Sequence, residues 1–421
     1  MELTLLILAV LFLIFLLNRG LKYYLLSPVY IYILFSVLSL GLSTLYFYYY
    51  EPKISLFNLD KVSKASFFNV IKLYLHALIA FLIGAVIYYD LSSRKNKLIF
   101  NKNFSEYLFI RYKSNSSLKL HTIAPILVFS IIGMYFLVYG KGIFIRDYYI
   151  NEASRGLKII IQLLSFVTVI VLGLLNEKNK ILSFSLFFLL IIISIGTGSR
   201  NTFLYYIVYV VLLFLLGGNT FFNKTRLYVN LIFGFLFLSF LTGLRMLKSH
   251  GLIPYLSSIT DEFNGETQNI AFNIYYSFIF GVYLTIGTLK KAVFDFGIVL
   301  TNLNPLPGRF TDWYQYADKM RLNIYAPFSL HGRVFKTGLL FTYIYFFFNG
   351  VVYMYFEKKI RFFLKNRKIL LAILLLIFLC LYIVFSFEYN MRSAVRMIYY
   401  AYFIVLVRYL YLQVIKNLPT K

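Results

Sequence analysis

The chain has 421 residues, of which 60% are hydrophobic and 14% charged, and its 42 Lys and Arg against 16 Asp and Glu give a formal charge of +26. The apolar residues fall in blocks of roughly 20 rather than in an amphipathic rhythm, which marks membrane spans and excludes an ordinary soluble domain. Alternating strands of about ten residues are not visible, so the spans must be helices rather than a barrel.

In chain order, spans are expected near residues 2–18, 28–49, 68–89, 121–140, 158–176, 181–197, 202–218, 227–246, 337–356, 368–387 and 394–413. The first does not read as a signal peptide, because Met1 and Glu2 supply no basic start and no small-residue cleavage site follows. Two strongly basic segments, 90–120 and 357–368, should be cytoplasmic by the positive-inside rule. Such a basic excess would suggest nucleic acid in a soluble protein, but here it reads as an orientation signal and no nucleic-acid partner is expected.

Counting spans from the two basic segments puts the amino terminus outside and the carboxyl terminus in the cytoplasm. The same parity leaves 247–336 as one long external region. The apolar block 270–288 within it is then re-entrant or interfacial, or pairs with a short return through 292–303. The expected class is an all-α polytopic membrane protein of about eleven transmembrane helices, 1–421 forming a single membrane domain. External segments of that length usually carry function. The one cysteine, Cys380, lies inside an apolar block, so no intramolecular disulfide is available.

Arginines persist on the expected outer face, where the positive-inside rule would remove them: Arg146 and Arg155 in the loop 141–157, Arg200 in a turn between two spans, and Arg245 at a helix end. Arg309, Arg321 and Arg333 follow in the long loop, and Arg392 and Arg396 bracket the start of the last span. Any one of them could be a snorkelling side chain or a phospholipid contact, so membrane lipids are expected partners. As a set they suit a pyrophosphate, because the planar guanidinium forms paired charge-assisted hydrogen bonds to phosphate oxygens. The sharpest local feature is GTGSRNTFLYYIVYVVLLF at 196–214, where Gly198, Ser199 and Arg200 break two apolar helices. A following helix start beside a cation makes an anion site, whereas the plainer reading is a tight helical hairpin.

With these pieces in view the chain resembles the Wzy family of O-antigen and capsule repeat-unit polymerases. The resemblance rests on the GSRN turn, the preceding IFIRDYYINEASRG (143–156), ITDEFN (259–264), FDFGIVLTNLNPLPGRF (294–310), APFSLHGRVFKTGLLF (326–341) and the Arg392 and Arg396 entry to the last span. It covers about two thirds of the chain in order, although no single piece is specific. It implies a membrane glycosyltransferase of the bacterial cytoplasmic membrane acting on undecaprenyl-diphosphate-linked oligosaccharide. Transfer would be metal-independent and without a cofactor, and a chain-length regulator protein would be a partner. Two positions depart from the pattern: Asn201 stands where Gly is expected, and His331 where an acid is common.

Glycosyl transfer needs a base for the acceptor hydroxyl and neutralisation of the leaving group. Arg200 is the candidate for the charge, and Glu262 and His331 are the candidates for the base. A solvated carboxylate and a hydrogen-bonded histidine are the ordinary alternatives. His76 and His121 lie in or beside spans and suit packing better. Trp313, Tyr314 and Tyr316 form an external aromatic cluster that could stack on sugar faces or belong to an interfacial belt. No phosphate-binding Gly-rich loop, His-Glu-x-x-His, cytoplasmic D-x-D or Gly-x-Ser-x-Gly is present. The competing readings are an O-antigen ligase, which shares topology, and a lipid-oligosaccharide flippase, which should show two similar halves with interrupted helices. This chain shows one asymmetric external region and no detectable repeat.

Overall fold

The computed structural model describes residues 2–21, 27–49, 62–101, 119–147, 155–199, 201–216, 229–230, 232–234, 236–237, 240–241, 244, 247, 249–264, 267–306, 308–311, 313–322, 326–366 and 368–417. The protein is an all-α polytopic membrane protein. Among the described residues there is no strand, only the isolated bridges Arg146 to His250 and Arg321 to Pro327.

Its helices are α1 (Glu2–Gly20), α2 (Pro28–Tyr49), α3 (Lys64–Asn101), α4 (Leu120–Tyr139), α5 (Arg155–Leu175), α6 (Lys180–Ile195), α7 (Asn201–Leu216) and α8 (Leu252–Asn264). They continue with α9 (Thr267–Lys291), α10 (Phe296–Leu303), α11 (Trp313–Ala317), α12 (Leu330–Lys336), α13 (Leu339–Lys365), α14 (Ile369–Glu388) and α15 (Met391–Asn417). Among the described residues eight are long and apolar enough to cross a bilayer, and they coincide with eight of the eleven expected spans. Two further expected spans, 181–197 and 202–218, correspond to the shorter apolar helices Lys180–Ile195 and Thr202–Leu213. The eleventh, 227–246, falls partly outside the described residues.

The chain packs as two compact units, Met1–Phe104 with Phe278–Lys421 (unit 1) and Ser105–Ser277 (unit 2). The region 247–336 falls partly in each unit, with the boundary at Ser277 and Phe278.

In unit 1 the closest helix pair is α3 with α13. A Cβ on Gly350 would come within 1.9 Å of the Phe81 carbonyl oxygen, and one on Gly84 within 2.1 Å of that of Phe347. Lipid tails supply no hydrophobic drive between helices, so small residues that let backbones touch are what such a pair needs. Near the basic end of α13, Glu357 accepts hydrogen bonds from Arg361 Nε at 2.6 Å and from Ser27 Oγ at 2.6 Å. Both charged side chains are fully buried, so each depends on the other for neutralisation.

The segment after Phe278 is built into unit 1 rather than looped away from it. Thr285 on α9 shares hydrogen bonds of 2.9 Å with Tyr74 on α3 and with Ser329 before α12. Ser329 caps α12 by accepting from Gly332 N, and Leu330 to Phe335 are all buried. A hydrophobic cluster of Leu284, Ala292, Ile298, Met320, Leu322, Ala326 and Phe328 forms the core under this segment. Unit 2 packs α5 against α4, α6 and α7. Ser183 Oγ there donates to Leu172 O at 2.7 Å and shares a 2.9 Å bond with Tyr209.

Candidate functional site

The break between α6 and α7 is a turn over Gly196–Ser199 held from several sides. Gly198 adopts φ +69°, the left-handed region that favours glycine. Its N–H donates to Ile195 O at 2.8 Å, and Thr197 Oγ1 donates to Ser194 O at 2.7 Å. Gly196 sits on Ile143, with no room for a side chain.

Arg146 is the hub of this turn. Its backbone pairs with His250 at 2.7 and 2.8 Å. Its guanidinium donates to Gly142 O at 2.7 Å, Gly196 O at 2.7 Å, Thr197 O at 3.1 Å and the Tyr255 hydroxyl at 3.2 Å. Four of the five N–H donors of an arginine are thereby engaged by the protein itself. The fork that the sequence reading assigned to a phosphate instead shapes the turn, and the charge acts through its field. His250 Nδ1 lies 3.2 Å from the same Tyr255 hydroxyl. Burial, and after it the charge of Arg146, holds the His250 imidazole below its ordinary value. Gly251 at φ +117° has no space for a Cβ, which would lie 2.4 Å from Phe144 O, so α8 starts hard against this loop.

Beside the turn lies a polar cleft lined by Tyr135, Tyr139, Gln162, Thr197, Ser199, Thr202 and Tyr205. Thr202, on the first turn of α7, is 1% exposed, and its Oγ1 has no hydrogen-bond partner. Of the buried hydroxyls left without a partner, it is the one that lines this cleft. The first N–H groups of a helix also lack intrahelical acceptors, so the end of α7 adds donors and a partial positive charge. The cleft therefore offers hydroxyls, an amide, aromatic rings and a helix start, a set suited to a hydroxyl-rich or anionic group. Sequence reasoning found the turn but missed Gln162, Thr202, Tyr205, Tyr255 and His250. Gln162 was the available signal, a lone amide in an apolar span.

The remaining expected site residues fall in three groups. Arg200 and Arg245 lie outside the described residues. Arg155 starts α5, Glu262 lies in α8, Arg309 lies in a 3-10 turn (Gly308–Phe310) and Tyr314 lies in α11, but the side chains of all four are outside the described residues. Described in full are Arg146 in unit 2, and His331, Arg333, Arg392, Arg396, Trp313 and Tyr316 in unit 1.

His331 does not fit the role of base. It is 1% exposed and packed among Tyr74, Phe335, Phe346 and Phe387, and its Nδ1 donates to Ser386 O at 2.8 Å. Burial pushes its imidazole down to about 3, so it stays neutral and unprotonated at Nε2 inside an apolar cage.

Arg392 is 2% exposed and donates to Thr301 O at 3.0 Å and Thr311 Oγ1 at 3.2 Å, with a further bond to Leu306 O. Arg396 reaches the same Leu306 carbonyl at 3.2 Å. These cations complement the negative end of α10. Trp313 carries the Arg392 guanidinium over one face at 4.8 Å, and with Tyr316 it packs on the hydrophobic cluster. Trp313 and Tyr316, two of the three rings expected to stack on sugar, thus pack on the local core.

Arg333 is buried over the Phe328 ring at 4.7 Å and donates to Val293 O at 3.0 Å and Lys319 O at 3.4 Å, while its Nε has no partner. Burial lowers its pKa and Asp295 opposes that shift. Among the described residues no three His, Cys, Asp or Glu side chains come together. No protein-family model, no curated protein and no solved structure matches the chain.

Proposed function

We propose that the protein is a polymerase of polyprenyl-diphosphate-linked oligosaccharide repeat units, working at the outer face of a bacterial cytoplasmic membrane. The observation that carries this reading is the cleft at the Gly196–Ser199 turn, with the buried, unpartnered hydroxyl of Thr202. A polar recess in an apolar helix bundle is costly unless it is used. Its hydroxyls, its amide and the helix start are hydrogen-bonding groups of the kind that sugar hydroxyls and diphosphate oxygens pair with. Arg200 follows Ser199 directly in the sequence and is assigned the charge of the leaving diphosphate.

In the reaction the acceptor sugar's hydroxyl oxygen attacks the anomeric carbon of the donor. The bond from that carbon to the diphosphate oxygen breaks as the new glycosidic bond forms. The hydroxyl proton leaves to a base, for which Glu262 remains the candidate, and the lipid diphosphate departs with the bonding pair. Arginine and helix-end charge stabilise it as negative charge develops. A chain-length regulator would act on this same growing glycan.

The test is reconstitution. Purified protein with synthetic lipid-linked repeat units should lengthen glycan and release one lipid diphosphate per unit added, without nucleotide and in the presence of EDTA. Movement of lipid across the bilayer without lengthening would favour a flippase, and transfer only to a lipid A core would favour a ligase. The proposed orientation is checked separately. Cysteines at Asp261 and Asp318 should react with an impermeant maleimide in spheroplasts, and one at Lys97 should not.

A further inference from the structure

α10 and its flanks present an apolar face that none of the described residues of unit 1 covers. Ile298 and Val299 are buried inward, whereas Val293, Phe296, Leu300 and Phe310 are 76%, 54%, 52% and 62% exposed. With Phe294 at 55% and Leu306 at 52% this makes six exposed large apolar side chains on one short segment, which are costly in water.

The ties of this segment set its level relative to the bilayer. Lys336, just ahead of the span Leu339–Lys365, donates through Nζ to Leu289 O at 3.1 Å. Arg392, the second residue of the span Met391–Val414, donates to Thr301 O at 3.0 Å. Those two span starts lie on the same side of the membrane, because Leu370–Glu388 crosses back between them.

The end of α10 reaches deeper, and the chain after it returns to Arg392, which donates to Leu306 O and Thr311 Oγ1. Tyr399 donates to Leu303 O and Arg396 to Leu306 O. At about 1.5 Å per residue, Tyr399 stands about 12 Å along its helix from Met391. The segment therefore dips beside the membrane-spanning part of α15 instead of rising into solvent. Lys290, Lys291 and Lys336 are exposed at its shallow end. Asp295 is the one acid described in the segment, and it caps α10 by accepting from Ile298 N.

We infer that the segment Val293–Phe310 is an interfacial foot seated in one leaflet of the bilayer. Phe296 and Leu300 lie among acyl chains, and Lys290, Lys291 and Lys336 lie against anionic phospholipid headgroups. Apolar burial of about 5–10 Å below the headgroups with a basic rim is how interfacial helices bind. The assignment stands whether or not the protein is a polymerase.

Spin labels at F296C and L300C in a C380S background test it, in phosphatidylethanolamine–phosphatidylglycerol vesicles, with K319C as the water-facing control. Both foot labels should collide preferentially with oxygen, and the control with a water-soluble nickel chelate, in proteins whose melting transition is unchanged. Nickel-dominated collisions at 296 and 300 would overturn the foot. So would spin–spin broadening between labelled copies, which would mean that a second chain covers the face. K290Q with K291Q should lower the oxygen preference in the anionic vesicles and leave it unchanged in phosphatidylcholine. The same value in both lipids with and without the substitutions would remove the headgroup half of the assignment.

Discussion

The two units use arginine in the same way and end with different surfaces. In unit 1, Arg333 and Arg392 are buried and donate to backbone carbonyls of the irregular segment 293–311 and of Lys319, and what they brace is a hydrophobic cluster. In unit 2, Arg146 donates to the carbonyls of the Gly196–Thr197 turn, and what it braces is the wall of a polar cleft. A cation on the expected outer face is thus not by itself a ligand contact. The informative neighbour is a polar group that the fold buries and leaves without a partner, such as Thr202.

The comparison breaks most visibly at Arg200. Its replacement by Ala should lower polymerisation by roughly 10²- to 10³-fold with protein level unchanged. Lys should rescue it in part by keeping the charge without the fork. A wild-type rate in R200A would detach the chemistry from this turn.

On the unit 1 side the expected loss is of stability. Gly350→Ala puts a Cβ against the Phe81 carbonyl, so α3 and α13 must separate, at about 1–3 kcal/mol. Thermal unfolding in detergent would read this as a lowered midpoint.

His331 sharpens the same side through pH. Its folded pKa of about 3 lies below the unfolded value of about 6.5, so its contribution is complete above 6.5 and is lost as pH falls from there toward 3. Each unit of acidification in that window should cost about 1.4 kcal/mol, and H331Q should flatten the slope. An activity profile that follows the titration of His331 near neutral pH would contradict its burial.

The smallest effect separates the units best. Thr202→Val removes a hydroxyl that bonds nothing in the fold, so the melting midpoint should hold or rise. Turnover should fall about 3- to 10-fold, the scale of one neutral hydrogen bond. Unchanged turnover in T202V would mean that the cleft is not used.

The spans were legible because runs such as Leu370–Glu388 are too long and too apolar for any other environment. The segment 278–336 was not. Its short helices and scattered charges look like an external loop, and only packing shows Leu330 to Phe335 buried and Thr285 bonded to Tyr74. The arginine set was visible as charge, but sequence does not show that carbonyls already engage most donors of Arg146 or that Trp313 lies under Arg392. His331 was misread for the same reason, since its aromatic cage comes from α3, α12, α13 and α14, which meet only in the folded chain.

The glycine contact between α3 and α13 carries a consequence for biogenesis. The first helix of that pair leaves the ribosome before any part of unit 2, and the second only after all of it. At about 5–20 residues per second α3 waits about 12 to 48 s for its partner, with the Gly84 face toward lipid or an insertase. Unit 1 therefore matures last although it begins first. A nascent chain stalled before Leu339 should hold α3 in a protease-sensitive state that a completed chain does not show.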